Sequence, residues 1–263
     1  MGARAVGRWC VVISLCVPLL SGCFSRQSKG HTSSSFGNFC VEAQTGRTGT
    51  TLTAYTDGKI TSSLCLHNTN IKQILATGLR NETFALVLTN NSRESLRIYD
   101  SRLNEVWRGI SASLRPWKLT AGDVDGDGIT DIGIGVIKRA RFHPVMANRP
   151  FIYDWDGKEL RAKWLGSRLS RPFTDFVIVD FGPPCAKLVA VEKTRDGSNE
   201  LAVYGWQGFG FVREWTGARV SQMTDLQIGG QPGKQYIAVR EGHYLVKYTW
   251  NGRKLQCIGG KLK

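Results

Sequence analysis

Short apolar runs alternate with turn-forming residues along most of this chain, and almost no stretch sustains the period of an amphipathic helix. Thr83-Phe-Ala-Leu-Val-Leu, Asp131-Ile-Gly-Ile-Gly-Val, Lys187-Leu-Val-Ala-Val and Gln235-Tyr-Ile-Ala-Val are such runs. They are short and rich in β-branched residues, which predicts buried strands rather than helices. After the last three of these comes a stretch of alternating apolar and polar residues that reaches Asp156-Gly, Gln207-Gly or Asn251-Gly. Those pairs supply the positive φ that a tight hairpin demands. The local unit is therefore a turn, an inner strand and an outer β-hairpin.

The units are copies of one another. Phe151-Ile-Tyr-Asp-Trp-Asp-Gly runs on to Trp164-Leu-Gly, and Leu201-Ala-Val-Tyr-Gly-Trp-Gln-Gly runs on to Trp215-Thr-Gly, with equal spacing from Tyr153 to Trp164 and from Tyr204 to Trp215. Leu96-Arg-Ile-Tyr-Asp reaches Trp107-Arg-Gly through a shorter turn. Val246-Lys-Tyr-Thr-Trp-Asn-Gly ends near Gly259-Gly260, and a weaker copy at Thr51-Leu-Thr-Ala-Tyr has Cys65 in place of the tryptophan. Tyr55, Tyr99, Tyr153, Tyr204 and Tyr248 thus recur about 44 to 54 residues apart, the length of a propeller blade. The predicted fold is all-β, a β-propeller of about five four-stranded antiparallel blades over residues 37–263. Five copies argue against a sandwich, and a hairpin within each copy argues against a solenoid. Because an open ring would expose strand edges at both ends, one blade is expected to be completed by strands from both termini.

The first residues follow a different pattern. Arg4 and Arg8 precede an apolar stretch from Trp9 to Leu20. At about 1.5 Å per residue that stretch is too short for a hydrocarbon core of about 30 Å, and it reads as an export signal. Leu20-Ser-Gly-Cys23 follows at once and resembles the bacterial lipobox, in which cleavage falls before a cysteine that carries lipid. The resemblance implies a signal peptide over residues 1–22, lipidation of Cys23, and a lipid anchor in the cell membrane or outer membrane, with the protein facing the periplasm or the exterior. Residues 23–36, rich in Ser, are expected to form a flexible tether.

Export changes how the remaining composition is read. The formal charge is +14, which on an envelope protein points to anionic envelope polymers, lipid headgroups or a protein partner, and not to nucleic acid. Cys10 and Cys16 leave with the signal. Cys40, Cys65, Cys185 and Cys257 remain, and spacing does not choose among their three disulfide pairings or free thiols.

One loop carries recognisable chemistry. Asp123-Val-Asp-Gly-Asp-Gly-Ile-Thr-Asp131 places carboxylates at loop positions 1, 3, 5 and 9, with Gly128 at the sharp turn. Hard cations want six or more oxygens, and alternate residues of a tight loop can turn theirs inward. The expected ligands of a single structural Ca²⁺ are Asp123, Asp125, Asp127 and Asp131, with the Ile129 carbonyl. An EF-hand would add Glu at position 12, where this chain has Ile134. With the repeat around it, the loop instead resembles the calcium loops of FG-GAP and VCBS propeller repeats. The corresponding turns of the other units lack the carboxylates.

The third unit also contains an expanded, basic stretch. Residues 137–149 exceed a hairpin turn, and expanded loops often carry function. Lys138, Arg139, Arg141, His143 and Arg149 are the candidate ligand-binding residues there, within a longer basic run that includes Lys163. The tryptophans recur at one repeat position, which predicts packing between blades. No recognisable catalytic constellation accompanies them. The expected function is a calcium-stabilised, non-catalytic binding or scaffolding module on the envelope; the alternative is an envelope hydrolase or lyase acting on polysaccharide.

Overall fold

The structure, a computed structural model, describes residues 25–28, 31–90 and 93–262. The lipobox, Cys23 and the signal segment lie outside the described residues. Among those described, no helix is long and apolar enough to cross a membrane.

The chain forms a five-bladed β-propeller. The first sheet holds β1 (Ser25–Ser28), β2 (His31–Phe36), β3 (Phe39–Thr45), β4 (Gly49–Thr56) and β5 (Lys59–His67). Blade two is β6 (Ile71–Leu79), β7 (Glu82–Thr89), β8 (Glu94–Asp100) and β9 (Glu105–Ser111). Blade three is β10 (Lys118–Gly122), β11 (Asp131–Ala140), β12 (His143–Trp155) and β13 (Leu160–Leu165). Blade four comprises β14 (Phe173–Val179), β15 (Lys187–Lys193), β16 (Asn199–Trp206) and β17 (Phe211–Thr216). Blade five comprises β18 (Met223–Gly229), β19 (Tyr236–Glu241), β20 (Tyr244–Trp250) and β21 (Leu255–Leu262). All neighbouring strands are antiparallel.

Two expectations need correction. Among the described residues every blade is built from consecutive strands, and none is shared between the termini. Of the expected tether 23–36, residues 25–28 and 31–36 are instead the strands β1 and β2, and in β2 Ser34 is buried and its Oγ accepts the Ala76 N–H at 2.9 Å. That bond joins blades one and two. Its counterparts are Gln73 exchanging two hydrogen bonds with the Leu119 backbone, and Thr120 Oγ1 accepting the Ile178 N–H. Between blades four and five, Asp180 and Gln235 are joined in the same way.

The apolar runs identified in sequence become β7, β11, β15 and β19, buried between neighbouring blades. Leu86, Leu88, Ile132, Ile134 and Phe151 share one core, while Val189, Val191, Ile237 and Val239 share another. Each repeat tyrosine stands at a β-bulge: the strand opposite gains one residue at Tyr55, Tyr99, Tyr153, Tyr204 and Tyr248. A bulge sharpens local twist, and five in one place give five blades the same coil. The tryptophans sit between blades, as Trp164 packs edge-on against Trp206 and Phe211, and Trp215 against Trp250. The glycine two residues on lies against the indole: a Cβ at Gly109 would sit 2.5 Å from the Trp107 ring.

Candidate functional site

The 123–131 loop joins β10 to β11. Asp123 receives two backbone N–H groups, from Gly126 at 2.7 Å and Gly128 at 2.8 Å. Both glycines have φ near +80°, at 79° and 82°, where a side chain would be strained. Asp131 is fully buried, and its Oδ2 accepts the Val124 N–H at 2.9 Å. Asp123, Asp125 and Asp131 converge, with one oxygen of each within 4.8 Å of the others. Asp127, also expected as a ligand, is outside that group; its carboxylate accepts the Ile129 N–H at 2.7 Å.

A cation from the chain itself already stands among these carboxylates. The Lys163 ammonium lies 2.7 Å from Asp125, 2.7 Å from Asp131 and 3.0 Å from Asp154. Burial alone would lower the Lys163 pKa, but its hydrogen bonds to Asp125, Asp131 and Asp154 outweigh that and hold it above the ordinary lysine value. Burial raises the Asp131 carboxyl, with Asp154 adding to the effect and Lys163 opposing it. Sequence reasoning assigned Lys163 to the basic run and overlooked Asp154 as a partner of the loop. Only the register of β12 with β13 brings the two to it.

Residues 137–149 are not a loop. β11 and β12 continue outward as a paired ribbon, closed by a two-residue turn at Arg141 and Phe142 with a bulge between Lys138 and Ala140. Arg149 does not reach the surface. It is wholly buried, with Nη2 near His143 Nδ1 (2.9 Å) and donating to the His143 and Val145 carbonyls at 3.1 and 2.8 Å, while Nε donates to Lys138 O. Arg149 and His143 therefore shape the ribbon from within. Burial, followed by the nearby charge of Arg168, lowers the Arg149 pKa.

The outer side of the ribbon is basic and apolar together. Phe142 is 87% exposed at the tip, with Val145 and Met146 exposed behind it. Arg139 and Arg141 flank the tip in the open, and the Lys138 ammonium lies over the Phe151 ring. The rest of the basic run is dispersed: Arg161 pairs with Asp156 and Arg171 with Glu200.

The inner strands surround a channel with a cavity of ≈ 470 Å³, reached by residues of all five blades from Thr32 to Gln235. Its charged groups have partners. Lys118 lies 2.7 Å from Asp175, Asp225 pairs with Arg240 at 2.8 Å, and Asp180 accepts the Gly182 and Gly233 N–H groups. No histidine is among the described residues that line it.

No family model matches the chain, and no curated protein matches it. Solved structures do resemble it. A putative 6-phosphogluconolactonase from Bacteroides fragilis is 8% identical, with 90% of this chain and 69% of that one covered at a TM-score of 0.49. A complex of KlAtg21 with the coiled-coil of AgAtg16 gives 11% identity, 84% and 81% coverage, and a TM-score of 0.46.

Proposed function

We propose that this chain is a lipid-anchored, non-catalytic binding module of the cell envelope, whose β11–β12 ribbon engages an anionic envelope component. The observation that carries this reading is the ribbon tip. Exposed Phe142, Val145 and Met146 beside Arg139 and Arg141 offer apolar contact and positive charge on one projection. Clusters of exposed apolar residues on a soluble surface mark interaction sites more often than isolated ones do. The excess of positive charge favours an anionic partner. The Leu20-Ser-Gly-Cys23 motif supplies the membrane address.

The enzyme alternative would draw on the central channel. A hydrolase or lyase there needs an acid and a base free to move protons at substrate. The channel aspartates described above are held by lysine, arginine or backbone N–H groups instead, which favours binding.

The test uses the full chain, extracted with its anchor, to capture components of the native envelope fraction. An Arg139→Ser/Arg141→Ser/Phe142→Ser variant runs alongside at low and high salt. Charge-driven capture weakens once ions screen contacts beyond about 8–10 Å. A component retained at low salt, released at high salt and absent from the variant supports the proposal. Equal capture by variant and parent would refute it, and turnover of wall polysaccharide by both proteins would favour the enzyme.

A further inference from the structure

The bulge at each repeat tyrosine creates a corner that can be compared from blade to blade. In blade three, Ile152 pairs with Trp164 and Tyr153 with Ala162, so Lys163 is the extra residue. In blade four, Val203 pairs with Trp215 and Tyr204 with Arg213, so Glu214 holds the same place. Each bulged residue meets the residue that begins the inner neighbour strand. Lys163 meets Asp131, which precedes the partner of Tyr153; Glu214 meets Lys187, which precedes the partner of Tyr204. The distances are 2.7 and 2.9 Å, and the signs are reversed. In blades one, two and five the bulged residues are Thr61, Val106 and Ile258, and the corresponding inner-strand positions hold Phe39, Phe84 and Tyr236. The corner thus carries an ion pair in two blades and uncharged residues in the other three.

We propose that the Lys163 ammonium is the resident counter-ion of the 123–131 loop, standing where a divalent ion would otherwise neutralise it, so that blade three folds without calcium. An ammonium has three N–H donors, and three carboxylates from the loop, β11 and β12 meet it at 2.7, 2.7 and 3.0 Å. Of the two remaining loop carboxylates, Asp123 accepts the Gly126 and Gly128 N–H groups and Asp127 the Ile129 N–H. Calcium would need the same oxygens at about 2.3–2.6 Å, with an ammonium beside it repelling its charge. The Lys163 side chain is only 12% exposed, so it has little room to swing aside. The Asp-x-Asp-x-Asp-Gly string thus survives as a turn with an internal cation.

The full chain is melted in excess calcium and in chelator, and titrated with calcium in a calorimeter. The parent midpoint is expected to be the same in both, with no binding heat. Lys163→Gln is expected to melt at least about 5 °C lower in chelator, since burying carboxylates without a cation is costly. Partial recovery in calcium would support the same account. A parent midpoint that rises with calcium overturns the proposal, as does a Lys163→Gln chain as stable as the parent in chelator. Should Lys163→Gln not fold, Lys163→Arg keeps a cation at the bulge and is expected to fold and ignore calcium; a calcium response in that variant overturns the proposal equally.

Discussion

A charged side chain declares its sign in sequence but not what it meets, and Arg149 and Glu192 show the consequence. Arg149 read as a surface ligand; buried, it holds the Lys138, His143 and Val145 carbonyls of one ribbon. Arg149→Met leaves those acceptors without their donor, and urea denaturation is expected to show a loss of about 2–4 kcal/mol. Arg139→Met, on the open side of the same ribbon, should stay within about 0.5 kcal/mol of the parent. Glu192 is equally buried; it takes a hydrogen bond from Tyr204 and lies 3.5 Å from Arg213. Burial dominates and raises its pKa, with Tyr204, the Arg171 N–H and Arg213 pulling the other way. The native state therefore holds a proton above the ordinary glutamate value of about 4.3, where the unfolded chain has released it. Stability from this group is greatest below that value and is lost as pH climbs through the raised one. Midpoints measured from pH 4 upward should show the parent losing ground to Glu192→Gln; a constant gap would mean that Glu192 does not titrate in that range.

Hairpins and inner strands were legible because both leave a mark in the chain: Asp-Gly or Asn-Gly at the turn, and an apolar run where both faces are covered. Other features left no such mark. A bulge shifts one residue of an outer strand whose exposed side has no apolar period to break, so the place of Lys163 opposite Asp131 was invisible. The β11–β12 extension looks like a loop in sequence for a related reason, since a ribbon beyond the core buries no continuous face. The Trp-x-Gly ending was legible as a repeat, but its cause is steric. At Gly109 the three atoms nearest to an added Cβ all belong to the Trp107 ring. Gly109→Ala is expected to cost about 1–3 kcal/mol through overpacking. In a Trp107→Leu background the same change should be nearly neutral, giving a coupling energy of about 1 kcal/mol or more in a double-mutant cycle. Additive effects would mean that the glycine answers to the backbone and not to the indole.

For the whole molecule, the number of blades followed from the number of tyrosine copies, but the manner of closure did not. Repeats count units without saying how the last meets the first. Strand exchange between the termini, expected because it would lock the ring, is absent from a topology in which every sheet is sequential. Blades two, three and four each have chain-connected neighbours on both sides, with hydrogen bonds between successive blades through Ser34, Gln73, Thr120 and Gln235. Blades one and five each have such a neighbour on one side only. In repeat architectures, stability is approximately a sum of unit terms and nearest-neighbour interfaces, so end units open at lower free energy than middle ones. Native-state hydrogen exchange should therefore find the amides of β3, β4, β19 and β20 opening more readily than those of β7, β11, β15 and β16. The difference should hold even though Val41, Leu52, Ile237 and Val239 are as buried as the middle cores. Uniform protection across all five blades would show that the seam between blades one and five is as strong as the joints within the ring, and would place the closing energy in side-chain packing there.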